Sequence, residues 1–284
     1  MKGHPQQGFT LLETLIASFI GVMLLTMLLS SIYALLRSAD LKLYAEERQE
    51  QLLVAQHVIT GDLQGADFSG CFQSNLVAAK HVSNGAVATF LARNGALSIE
   101  TVSEARGQRV SFVSAKAGGF DVIESMRNVH DDIDLELGAT FSKGDELLIT
   151  DCDNADIFAV SGAWRARVRH ASTHNISSNL SAVYHRGAHV YPLKLVSYEI
   201  YTGTSGVPGL YRREGNASRQ EVVPALTRLT VALEVNRAGL RSQLAISDRR
   251  AAHTAVGVHL SLWPLSRQGL PSKPLQFKVA LLNR

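Results

Sequence analysis

The hydrophobic pattern opens with a block that has no periodicity. From Leu15 to Leu36 the chain is apolar or small at every position and carries no charge. A helix of that length covers roughly 33 Å, enough to cross a hydrocarbon layer of about 30 Å. A core helix of a soluble domain keeps a polar stripe. Here the polar side chains are Ser18, Thr26, Ser30 and Ser31, whose hydroxyls can bond back to the helix backbone. The block predicts a membrane-crossing helix. It exceeds the roughly 7–15-residue apolar core of a cleaved secretory signal, and it runs into Arg37 without a small-residue cleavage site.

Past Arg37 the pattern becomes periodic. Leu52, Ala55, Ile59, Leu63 and Ala66 recur at spacings of three and four, which describes one apolar helix face. Glu46, Glu47, Arg48, Gln49 and Glu50 give the other side a solvated surface. Proline is absent from this stretch, and glycine enters only at Gly61 and Gly65, so the helix is expected to continue to about residue 66. Beyond it, short β-prone runs alternate with Gly, Asn, Asp and Ser. Strands are expected at Ala86–Ala92, Leu97–Val102, Arg109–Val113, Glu146–Thr150, Ile157–Val160 and Trp164–Arg169. Further strands are expected at Lys194–Tyr201, Leu226–Val235, Thr254–Trp263 and Leu275–Leu282, with 114–145 and 170–190 as long connections. The expected fold class is α+β: a long N-terminal helix, transmembrane in its first half, packed on an antiparallel β-sheet head.

Composition narrows the possibilities. The 284 residues are 46% hydrophobic and 19% charged, which excludes a disordered chain. The net charge of +3 is too small to point to nucleic acid as a partner. Two cysteines exclude a disulfide-dense miniature fold. No nucleophile elbow, phosphate-binding glycine loop or helical His-x-x-x-His pair occurs, so neither an enzyme nor a cofactor is expected. The run from Asp151 to Asp156 is faintly like a calcium loop, but Ala155 stands at the fifth position and the required glycine and glutamate are missing. A solvated turn is expected there, and also at Asp131, Asp132, Asp134 and Glu136. Trp164, Arg165, Arg167 and Arg169 form a basic alternation, expected to be an exposed strand. Asn175, Asn179 and Asn216 head glycosylation sequons without other support for modification.

One residue breaks the apolar rule. Glu13 lies just ahead of the block, and a carboxylate in hydrocarbon costs at least about 2.5–3.5 kcal/mol. It therefore needs a partner, yet neither Lys nor Arg occurs between Lys2 and Arg37. A cut between Gly8 and Phe9 would create an α-amine four residues upstream. That amine could neutralise Glu13 of its own chain or of a neighbour.

The stretch Gly8-Phe9-Thr10-Leu11-Leu12-Glu13, ahead of a long apolar helix, resembles the class III signal of type IV pilin-like proteins. The resemblance implies that a prepilin peptidase cuts between Gly8 and Phe9 and N-methylates Phe9. It implies that Glu13 guides subunit docking. Residues 1–8 would be the leader, 9–36 the transmembrane and filament-core helix, 37–66 its amphipathic continuation, and 67–284 an extracytoplasmic head. Many pilins bend this helix at a proline, which is absent here. Lys2 opposes Arg37 and Lys42, so the orientation rests on the resemblance and not on flanking charge.

Four later stretches resemble PilW-type minor pilins. They are Asp62 to Cys71; Gly144 to Ile149 with Cys152 following; Gly209 to Arg213 with Val222 to Leu226; and the ending Phe277 to Arg284. This implies a subunit that sits in the inner membrane with a periplasmic head and then enters a pilus on the cell surface. Its partners would be the lipid bilayer, other minor pilins, the major pilin and the inner-membrane assembly platform, with roles in motility and adhesion. A J-type minor pseudopilin of a type II secretion system and a membrane-anchored extracytoplasmic adhesin remain alternatives. In that oxidising compartment Cys71 and Cys152 would pair, and two distant cysteines supply too few ligands for a metal.

Overall fold

A single helix, α1 (Leu11–Gln64), carries the whole N-terminal pattern. The computed structural model describes residues 10–72, 74–115, 118–237, 240–244, 255–266 and 273–281. The chain divides into two units, Met1–Glu50 and Gln51–Arg284. In the first, every described residue up to 40 is exposed. The hydroxyls turn inward: Ser18 donates to the Leu15 carbonyl at 2.9 Å, Thr26 to Met23 at 2.8 Å, and Ser30 and Ser31 both to Met27 at 2.8 and 2.9 Å. The helix thus presents hydrocarbon to its surroundings. It runs through Gly21 without a break and is long and apolar enough to cross a membrane.

In the second unit the last turns of α1 behave oppositely. Ala55, Ile59 and Leu63 are fully buried, one below the other along one face. They join a core with Phe112, Tyr198 and Leu229. Asp62, beside them, accepts hydrogen bonds from the Tyr198 hydroxyl at 2.5 Å and from Arg212 Nε at 2.6 Å. An acid in a last helical turn opposes the helix dipole, and Arg212 supplies the compensating cation. Gly65 follows at a close approach: a Cβ there would strike Ser114 and the Ala115 carbonyl.

The head elements follow in chain order. After β1 (Lys80–His81) come α2 (Ala86–Asn94), β2 (Leu97–Ser103), β3 (Gly107–Ala115), β4 (Phe120–Asp121) and β5 (Ile133–Asp134). Next are β6 (Glu146–Thr150), β7 (Ala155–Ala159), β8 (Gly162–Trp164), β9 (Arg167–Arg169) and β10 (His189–Thr202). The last are β11 (Pro208–Glu214), β12 (Gln220–Pro224), β13 (Leu226–Arg237), β14 (Leu240–Leu244), β15 (Ala255–Pro264) and β16 (Leu275–Ala280). Among the described residues the main sheet runs β1-β7-β6-β10-β3-β13-β15-β16, and β5-β9-β8 form a small separate sheet. Pairing is antiparallel except between β1 and β7 and at the single β3–β13 pair, Gly107 with Leu229. Strand β10 joins the halves of the main sheet: His189–Pro192 pair with β6 and Leu193–Tyr198 with β3. The fold is α+β, a long apolar N-terminal helix followed by a mostly antiparallel head, consistent with a pilin-like architecture. A disulfide joins Cys71, just past α1, to Cys152, just past β6, with Cα atoms 4.6 Å apart.

Several sequence expectations need correction. The segment 114–145, expected as a long connection, holds the end of β3 and the short strands β4 and β5. Ala86–Ala92 is not a strand but most of α2. The carboxylate of Glu146, on β6, accepts from the Val87 and Ala88 N–H groups at 2.6 and 3.0 Å and from Ser83 Oγ at 2.7 Å. It satisfies the open N–H groups of a first helical turn. Trp164–Arg169 is not one strand but the hairpin β8–β9, which reverses through Arg165 at a φ of 54°. Thr254 and Leu282, at the ends of two expected strands, lie outside the described residues.

Candidate functional site

The N-terminal end of α1 is built by a capping box. The Thr10 carbonyl accepts the first helical hydrogen bond, from the Thr14 N–H, which makes Thr10 the N-cap. Its hydroxyl accepts from the Glu13 N–H at 3.4 Å. In return, Glu13 Oε2 accepts from the Thr10 N–H at 3.1 Å and from its hydroxyl at 3.2 Å. Each residue closes a backbone group the other leaves open. The acid also lies at the positive end of the helix dipole. Glu13 is exposed, so its carboxylate is open to a further partner. The acid's partners in the described chain are thus a local N–H and hydroxyl, where the sequence pointed to a cation. The signal was present as Thr10-Leu11-Leu12-Glu13, a Thr-x-x-Glu box. Gly8 and Phe9 lie outside the described residues.

In the head, the two polar clusters read separately from the sequence meet. Arg167 grips Asp134 through Nε at 2.6 Å and Nη2 at 2.8 Å. Arg169 grips Asp132 the same way at 3.1 and 3.2 Å. These hydrogen bonds hold both guanidinium pKa values above their ordinary level. Asp131 instead closes a turn, accepting from the N–H groups of Arg127 and Asn128. The Arg127 N–H bond holds its carboxyl below the usual range.

The residues of the weak calcium-loop pattern separate, and the solvated turn expected for the whole run is corrected: Ala155 and Asp156 are buried on β7. Asp151 closes its own turn through the Asn154 N–H at 2.7 Å. Asp156 is fully buried on β7 and accepts from the Ser181 N–H and from the Ser181 and Tyr184 hydroxyls. Burial, then the Asp156 charge, push the Tyr184 phenol far up. Among the described residues no group of three or more His, Cys, Asp or Glu is placed to hold a metal. Asn175 is buried, its amide pairing with the Ala159 backbone at 2.7 and 2.8 Å. That leaves no access for a glycan at this sequon. The chemically distinctive site of the described chain is therefore the capped, acid-bearing start of a helix that carries no further charge until Arg37.

Comparison with known proteins agrees at that place. No curated protein and no solved structure matches the chain. Residues 3–29 match the family described as the prokaryotic N-terminal methylation motif, a match that supports a type IV pilin-like prepilin and implies processing by a prepilin peptidase.

Proposed function

We propose that the chain is a minor pilin of the PilW type, which primes or supports type IV pilus assembly by packing its N-terminal helix into a filament core. In this reading a prepilin peptidase cuts between Gly8 and Phe9 and methylates Phe9, leaving residues 9–36 as a single-pass inner-membrane anchor with a periplasmic head. Other minor pilins, the major pilin and the assembly platform then receive it. The observation that carries the reading is Glu13 inside the matched methylation motif, in a helix with no other charge before Arg37. A carboxylate in hydrocarbon must be neutralised. The capping box meets part of that need with neutral donors. The α-amine of a processed neighbour would supply the charge, so docking in register lowers the cost of burying the acid.

The test is incorporation. Glu13→Ala is expected to reduce the amount of subunit recovered in sheared filaments while the thermal midpoint of the head stays unchanged. Thr10→Ala, which removes the cap but keeps the carboxylate, is expected to leave more incorporation than Glu13→Ala. Equal incorporation of wild type and Glu13→Ala sinks the docking role. A deletion strain that keeps its surface pili but loses protein secretion assigns the chain to a type II secretion pseudopilus instead.

A further inference from the structure

The small sheet β5-β9-β8 has one buried and one open face. Ile133 and Val168 point into the head core and are fully or nearly fully buried. On the open face a register row runs from Asp134 to Arg167 to Trp164 across the three strands. Trp164 is 78% exposed, an uncommon state for so large an apolar ring. The Arg165 guanidinium lies over its ring, 5.7 Å from the centroid, and most of the ring surface is still open to solvent. Beside it the Arg167–Asp134 and Arg169–Asp132 forks lie two residues apart along β9. Each is planar and bidentate, and each guanidinium keeps N–H donors beyond those its carboxylate uses.

Surface ion pairs of this kind add little to stability, and an exposed indole adds nothing to the core. The face is better explained by what it can hold. Arg165, Arg167 and Arg169 are balanced by Asp132, Asp134 and the nearby Glu124, which acts on Arg167. A balanced face does not attract the phosphates of a nucleic acid, which require unpaired cations. Nor does it suit the dry centre of a protein interface, where charged residues are depleted and desolvating an ion pair is costly. An uncharged polyol fits both constraints. Its C–H face stacks on an indole, and its hydroxyls take over the hydrogen bonds that water makes to the ion pairs.

We propose that the open face of β5-β9-β8 binds an uncharged carbohydrate chain, with Trp164 stacked on one sugar ring and the two Arg–Asp forks hydrogen-bonding the hydroxyls of the next. The site goes beyond the filament role and stands whether or not the chain enters a pilus.

The experiment uses the full chain in micelles of a detergent whose headgroup is not a sugar. Tryptophan fluorescence is followed while neutral, sialylated and sulfated oligosaccharides are titrated in. Neutral oligosaccharides are expected to shift the emission saturably. Loss of the stacking ring in Trp164→Ala is expected to weaken binding about tenfold, as read on an immobilised glycan. Arg167→Lys keeps the charge but loses the planar fork, and is expected to weaken binding severalfold. Both variants are expected to keep the wild-type thermal midpoint, because neither side chain enters the core. Absence of any response up to millimolar neutral sugar overturns the proposal. So does wild-type affinity in Trp164→Ala, and so does binding confined to sialylated or sulfated glycans.

Discussion

The two ends of α1 share one backbone geometry and opposite surroundings. Residues 15–36 are apolar on all sides and exposed on all sides. Residues 55, 59 and 63 are apolar on one side and fully buried there. In the second region the fold itself removes the hydrocarbon from water: β3, β10 and β13 supply the opposing surface. In the first, no burial is provided by the described chain, and the helix has even turned its hydroxyls onto its own carbonyls. Uniform hydrophobicity therefore specifies a medium, whereas patterned hydrophobicity specifies a partner surface.

Three measurements sharpen that contrast, taken from the largest effect down. The Cys71–Cys152 bridge closes a loop with a sequence separation of 81, for which the chain-entropy model gives about 4–5 kcal/mol. The double Cys→Ser variant is expected to lose close to that from head stability, followed by near-UV circular dichroism in denaturant. Its total helix content should hold until the head unfolds, and an equal loss from the apolar half would erase the distinction. Next, Ile59→Ala is expected to cost about 2–5 kcal/mol by cavity formation. Leu25→Ala, in the exposed half, is expected to leave the head transition in place. The smallest effect concerns acid. Burial raises the Glu199 carboxyl, but the guanidiniums of Arg219 and Arg109 outweigh it and hold the pKa below the usual range. A folded value below the unfolded one stabilises the head in full above the ordinary carboxylate range, and this is lost as pH falls below it. The thermal midpoint of wild type should drop on going from neutral pH into that acid range. Glu199→Gln should show a shallower drop, and a parallel drop would remove Glu199 from the account.

What the sequence disclosed was local. The apolar block, the four-residue spacing of Ala55, Ile59 and Leu63, and the Thr-x-x-Glu box all lie within a few turns of chain, so one helix period reads them. What it concealed was set at a distance. Ala86–Ala92 is a short apolar run that fits either secondary structure, and the deciding group is Glu146, 59 residues from Val87. The acidic and basic clusters were each visible, but nothing local says that Arg167 meets Asp134, 33 residues away. The hairpin reversal at Arg165 carries no glycine, since a non-glycine residue occupies the left-handed conformation there. The capping box is legible as Thr10-Leu11-Leu12-Glu13, and it answers the acid with a hydroxyl and an N–H where charge alone points to a cation.

The grip on Asp62 has a mechanical consequence. Tyr198 and Arg212 reach it from neighbouring positions on β10 and β11. Tension applied along the helix from residue 51 would reach the paired strands β10 and β11 through Asp62 as well as the chain that follows α1. Those two strands are paired to each other over seven residue positions, so a pull on Asp62 is borne by both.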